Sequence, residues 1–164
     1  MRRAGFRAGL STVALVAFVS LARADAPPDQ YMLFSSVDPT IIDNYTGLIW
    51  QRAAPDTMIS FDAAASYCQG LSLNGYVANW RVPSYKELLT LVDENPHVEY
   101  SSGQLFQHAI DPNAFPQTAV DTPYWTSSLY PADPTRKAYV VDFQDGQASY
   151  DLFTQPHHVR CVHD

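Results

Sequence analysis

Apolar residues recur along this chain with two different periods, and the change of period divides it. Thr40-Ile41-Ile42-Asp43 and Leu48-Ile49-Trp50-Gln51 are short apolar runs. Between them lies Asn44-Tyr45-Thr46-Gly47, whose residues suit a turn, so the region predicts a β-hairpin. Tyr31 to Val37 predicts a short strand ahead of it. The period then lengthens. Phe61, Ala64, Ala65, Cys68 and Leu71 lie on one helical stripe. Ser60 is placed to cap that helix, Asp62 sits in its first turn where the helix dipole favours an acid, and Gly70, Asn74 and Gly75 supply the exit. A second helix starts from a corner, Trp80-Arg81-Val82-Pro83-Ser84. Pro83 biases Val82 toward extended geometry. Ser84 followed three residues later by Glu87 is a capping-box pattern. Leu88, Leu89, Leu91 and Val92 follow at helical spacing, and Asn95-Pro96 is the expected stop.

From Pro96 to Pro123 no period is visible. Pro96, Pro112, Pro116 and Pro123 punctuate scattered polar residues, which predicts a long excursion loop of the kind that is often functional. Disorder is the competing expectation, against which Phe106, Ile110 and Phe115 argue for partial packing. Strand-like runs return at Tyr124–Ser128 and Ala138–Phe143. Asp145-Gly146, ahead of Gln147–Phe153, is a strong hairpin signal, and His158–Val162 reads as the last strand. The order predicts an α+β domain with its helices segregated from an antiparallel sheet.

Composition adds a compartment and a charge. Arg2, Arg3 and Arg7 precede an apolar run, Leu10–Leu21, that is shorter than the roughly 20 residues a membrane span needs. Ala22-Arg23-Ala24 then suits cleavage, so residues 1–24 read as an export signal, with no membrane span left after its removal. Residues 25–38 form a lead-in, its polar start from Asp25 to Gln30 expected to be disordered, and residues 39–164 one domain. Beyond the signal, Arg52, Arg81, Lys86, Arg136, Lys137 and Arg160 stand against 17 acidic residues. Such a surface repels nucleic acid and anionic lipid. Cys68 and Cys161 are the only cysteines, and an isolated pair in an oxidising compartment is most simply a disulfide. It would close more than half of the chain into a loop, worth roughly 4–5 kcal/mol on a chain-entropy view.

Several motifs in order resemble one family, the Lcl carboxy-terminal domain, a bacterial family named after a collagen-like adhesin. They are Asp43-Asn44-Tyr45-Thr46-Gly47-Leu48-Ile49-Trp50, then Phe61, Ala64 and Cys68, then Trp80-Arg81-Val82-Pro83-Ser84 with Glu87 and Leu88. Phe115-Pro116, Tyr124 to Ser127, Asp142-Phe143 with Gly146, and Val159-Arg160-Cys161-Val162 follow. The likeness runs from about Pro39 to the C-terminus. It implies a C-type-lectin-like fold: two helices, an antiparallel sheet, a long excursion loop, and a disulfide from the first helix to the last strand. It casts Trp50, Trp80, Arg81, Pro83, Ser84, Glu87, Trp125, Asp142, Gly146 and Arg160 as framework, with Arg81 a buried charge partner for an acid such as Asp142.

Catalytic signatures are thin. No Gly-x-Ser-x-Gly is present, and both cysteines are expected to be oxidised. Formylglycine-generating oxidases share the fold, but use reactive cysteines in a larger chain, so no enzyme is expected. His157 and His158 would point to opposite faces of a strand, a poor joint metal site, and with His163 read as surface residues. Calcium-dependent lectins use a Glu-Pro-Asn or Gln-Pro-Asp tripeptide and a later Trp-Asn-Asp. Asp111-Pro112-Asn113 resembles the first, but Trp125-Thr126-Ser127 stands where the second would, so neither metal nor cofactor is expected. The expected function is an exported, periplasmic or secreted, binding or adhesion module for a glycan or cell-surface protein. Its loop surface offers Asp111, Asn113 and Asp121 as candidate ligand-binding residues, and Tyr100, Phe106 or Tyr130 as rings for a sugar. The acidic charge fits a neutral glycan or a protein better than a polyanion. A structural or assembly subunit of a cell-surface complex, which self-association would support, is the alternative.

Overall fold

The computed structural model describes residues 27–101 and 103–164, so the expected export signal lies outside the described residues. Nine strands and two helices follow in the order β1 (Tyr31–Met32), β2 (Thr40–Asp43), β3 (Ile49–Gln51), α1 (Phe61–Gln69), α2 (Tyr85–Leu89), β4 (His97–Ser101), β5 (Gln104–His108), β6 (Tyr124–Leu129), β7 (Lys137–Val141), β8 (Ala148–Leu152) and β9 (Val162–His163) among the described residues. They form three sheets, ordered β1-β2-β3-β9, β4-β5 and β6-β7-β8, with every strand pair antiparallel.

The first hairpin forms where the pattern placed it. Ile41 pairs with Trp50 across β2 and β3. Asp43 folds the turn: its Oδ1 accepts the Tyr45 amide at 2.9 Å and its carbonyl accepts the Gly47 amide at 2.8 Å. The end of the polar start, Asp29-Gln30, is held in place, contrary to expectation. Asn44 donates its backbone N–H to the Gln30 carbonyl and its side-chain amide to the Asp29 carbonyl, each at 2.8 Å. Strand β1 keeps only two residues of the expected seven, and the chain beyond it leaves Phe34 and Val37 exposed.

Helix α1 buries Ala64 and Cys68, with Phe61 and Leu71 of the same stripe packed partly against that core, while Ala65 is exposed. Ser60 occupies the N-cap position, but its hydroxyl makes no cap bond, and the Phe61 amide goes to the Phe153 carbonyl instead. Helix α2 has the complete capping box. The Ser84 hydroxyl accepts from the Glu87 amide, and the Glu87 carboxylate accepts from the Ser84 amide at 2.7 Å. It ends at Leu89 rather than running on toward Asn95. The backbone tightens into turns at Leu91 and Val92, and the Ala109 carbonyl then captures the Asp93 amide at 2.9 Å. The helix thus closes through these tight turns several residues before the Asn-Pro pair, and the chain is then tied to Ala109.

Two apolar cores share the β6-β7-β8 sheet. Tyr124 and Val141 belong to the core that holds Trp50, Leu88, Phe115 and Phe143. Their neighbours Trp125 and Val140 belong to the core that holds Ala64, Cys68, Trp80 and Val159. The strand alternation therefore supplies both faces. The Cys68–Cys161 disulfide lies in the second core, with Cα atoms 5.5 Å apart and a sequence separation of 93.

The final segment is not one long strand. Its hydrogen-bond partner changes nearly every residue: Ile59 for His157, Trp125 for His158, Gln51 for Cys161 and Arg81 for Val162. Only Val162 and His163 remain a strand, beside β3. Arg160 points inward from this segment and is fully buried. It donates to the Gln51 carbonyl at 2.8 Å, to the Arg52 carbonyl and to the Thr118 hydroxyl at 2.7 Å. Its guanidinium lies 4.7 Å from the centre of the Phe115 ring and 5.9 Å from that of Tyr124. Carbonyl dipoles and ring faces hold this charge.

Candidate recognition surface

The excursion segment, expected to lack regular structure, contains a hairpin. Val98 and Tyr100 alternate with polar residues in β4, and Ser102-Gly103 separates them from Leu105 in β5. That two-residue, glycine-bearing connection was the signal available in the sequence, and Gly103 adopts the left-handed φ of 83° that such a turn uses. Five residue pairs match in unbroken register, from His97↔His108 to Ser101↔Gln104. The base is anchored by the Asp93–Ala109 bond and by the Ala109 amide on the Phe143 carbonyl at 2.7 Å. His97 and Asp93 meet at 3.1 Å, and His108 lies 3.8 Å from Glu99.

Pairing sorts the side chains onto two faces. His97, Glu99, Phe106 and His108 share one. Val98, Tyr100 and Leu105 share the other and are 59%, 72% and 70% exposed. Among the described residues this hairpin joins no other sheet, so its apolar face and both outer edges meet solvent. Of the rings expected to be free for a ligand, Tyr100 is fully available and Phe106 partly so. Tyr130 is engaged: it stacks on Tyr150 with centroids 3.8 Å apart, and Lys137 lies 4.8 Å from the Tyr150 ring centre. A hydrogen bond with Tyr150 raises the Tyr130 pKa.

The candidate acids sit apart from that face. Asp111 and Asn113 share one turn. Asp111 Oδ1 accepts the Asn113 amide at 2.8 Å and the Ala114 amide at 3.3 Å. The Asn113 and Ala114 carbonyls both accept from the Arg52 guanidinium at 3.2 Å. This turn thus ties the excursion segment back to the first hairpin. Asp121 is exposed, with Oδ1 3.5 Å from Nε2 of His158. Among the described residues, no three His, Cys, Asp or Glu side chains are grouped so that they could hold a metal ion.

Two expectations about charge are corrected. Arg81 does not pair with Asp142. It forks onto both carboxylate oxygens of Glu87 at 2.8 Å and also binds Asp164. The capping box brings Glu87 to the corner, so one carboxylate serves the Ser84 amide and Arg81 together. The Arg81 bond holds the Glu87 carboxyl down at about 2, and Asp164 is lowered by the same partner. Asp142 instead accepts the Gln144 amide at 2.7 Å, and its pKa is raised by burial. The histidines are not all on the surface. His157 and His158 are buried, because the terminal segment crosses between sheets. His157 packs edge-on to Trp125 and meets Asp151 at 3.0 Å. A cavity of about 490 Å³ beside Trp80 is lined by Gln69, Asn79, Arg81 and Asp164, and its one cation is already neutralised.

No helix among the described residues is long and apolar enough to cross a membrane. No curated protein matches the chain significantly. A family comparison matches the Lcl C-terminal domain over residues 39–163, well over half of the chain. That span begins at the first hairpin, contains the capped corner, both disulfide cysteines and the excursion hairpin, and closes on β9, so the chain belongs to the Lcl C-terminal domain family.

Proposed function

We propose that this chain is an exported, non-enzymatic binding module of C-type-lectin-like fold, with residues 39–164 as the binding domain. Its ligand is a glycan or a cell-surface protein. The arrangement of two short helices, antiparallel strands, a disulfide from α1 to the terminal segment and a long excursion supports the fold. One observation carries the function: the excursion hairpin turns Val98, Tyr100 and Leu105 to solvent on one face. Side chains left in water contribute nothing to the core, and contiguous apolar surface on a soluble domain marks an interaction site. An apolar face with one ring fits a protein better than a sugar, which calls for several polar groups converging beside the ring.

The test compares the oxidised protein with a Val98→Ser/Leu105→Ser variant. Both are screened on a glycan array with calcium and with chelator, and by crosslinking to envelope proteins of the source cell. Captured ligands are expected to bind the variant at least about tenfold more weakly, since two buried aliphatic contacts are worth roughly 1.5–3 kcal/mol each. Equal binding by the two proteins would remove the hairpin face from the site, and binding lost only in chelator would move it to the Asp111–Asn113 turn. The open hairpin edges favour a second reading, a structural or assembly subunit without a small ligand. Light scattering that finds a stable oligomer would support it.

A further inference from the structure

The backbone of this hairpin suggests how the ligand is held, given the reading of the hairpin as the recognition surface. A two-residue connection makes Ser101–Gln104 a hydrogen-bonded pair, so Glu99–Phe106 and His97–His108 are bonded pairs as well. Val98 and Tyr100 on β4, and Leu105 and Gln107 on β5, then direct their N–H and C=O groups outward. No backbone hydrogen bond joins these outward groups to another segment among the described residues. Proteins usually guard such edges with proline, lysine, a bulge or a covering segment. Here residues 97–108 contain neither proline nor lysine, and the register has no bulge. A two-stranded hairpin is marginal alone in water, and a third strand is what it lacks.

The charge of the segment selects the occupant. Glu94, just ahead of the hairpin, and Glu99, within it, are both exposed, and from Glu87 to Thr135 the chain has no lysine or arginine to offset them. A second copy would set Glu99 and Glu94 against their like. We propose that the hairpin takes up an extended, lysine- or arginine-bearing segment of a different protein as a third β-strand. Main-chain hydrogen bonds to the free edge supply affinity. The segment's alternate apolar side chains cover Val98, Tyr100 and Leu105, and its cations face Glu94 and Glu99.

The probe is a synthetic nonapeptide of alternating valine and threonine with two lysines at each end, titrated by fluorescence anisotropy against the full oxidised protein. Binding is expected, and glutamates in place of the lysines should weaken it about tenfold or more. N-methylating alternate residues separates backbone from side-chain docking. In an added strand one alternate set faces the hairpin and the other faces away. Methylation of one set should therefore weaken binding at least about tenfold, and methylation of the other should leave it nearly unchanged. Gln107→Pro or Val98→Pro, whichever lies on the used edge, should weaken binding to a similar degree with the far-ultraviolet spectrum retained. No binding of the lysine peptide, or equal effects of the two methylated sets, overturns strand addition. Loss of envelope ligands in the Val98→Ser/Leu105→Ser variant would still leave the apolar face standing. A homodimer abolished by either proline substitution overturns the assignment to a different protein, because the second copy is then the occupant.

Discussion

Single residues in this domain carry constraints that their neighbours in sequence do not disclose. Gly146 ends the Asp142–Gln147 turn at φ 75°, where only glycine is unstrained. A Cβ built there would lie 2.5 Å from Cγ1 of Val92, so the turn also presses on the segment that follows α2. Gly146→Ala should lower the unfolding free energy by about 2–3 kcal/mol, from strain and steric displacement together, measurable by urea denaturation. A loss near zero would mean that Val92 moves aside freely. Arg160 shows a different constraint. It reads as one cation in a short closing motif, yet it joins β3, the Thr118 loop and two aromatic rings from a fully buried position.

At the scale of elements, the corner from Trp80 to Leu89 combines three devices on one carboxylate. Glu87 completes the capping box, receives the Arg81 fork and adds negative charge to the first helical turn. Its carboxyl is held at about 2, below the ordinary value near 4.5, chiefly by the Arg81 bond. A depressed folded-state value means that the stabilisation is complete above about pH 4.5 and is lost as pH falls toward 2. The pair is partly solvated, so screening reduces its worth to about 1 kcal/mol. Glu87→Gln should therefore cost about that much at pH 6, and the difference from the parent protein should shrink steadily as pH falls through 4.5 toward 2. A gap that persists unchanged at pH 2 would show that ionisation is not its source.

At the scale of the molecule, the disulfide and the excursion have opposite roles. The Cys68–Cys161 bond ties α1 to a terminal segment that bridges the sheets, across 93 residues of chain. Replacing both cysteines by serine should destabilise the domain by roughly 4–5 kcal/mol, read as a shift in the denaturation midpoint with the unfolding slope raised by a less compact unfolded state. A shift under about 1 kcal/mol would mean that the cores alone specify the closure. The excursion, within that loop, adds a hairpin whose Val98, Tyr100 and Leu105 stay exposed.

Local pattern was enough to place the first hairpin, both helix starts, the Asp-Gly hairpin and the cysteine pair. The hairpins and helix starts depend on turn chemistry, capping or periodicity within about ten residues, and the cysteine pair on there being only two cysteines in a chain read as exported. The α2 stop was out of the local pattern's reach, because the backbone tightens into turns from Thr90 onward, well before the Asn-Pro pair. Only part of the Arg81 pairing lay within it: Glu87 is six residues away, whereas Asp164 arrives from the C-terminus. The final segment read as one strand, but its bonds come from several elements in turn, and that burial took His157 and His158 inside. The hairpin at β4 and β5 was legible in its alternation and its Ser-Gly turn, yet the surrounding prolines masked it. What tertiary structure alone decided is its exposure. Strand alternation defines two faces, but only the placement of the other sheets determines which face stays in water, and here the apolar face of Val98, Tyr100 and Leu105 was left uncovered.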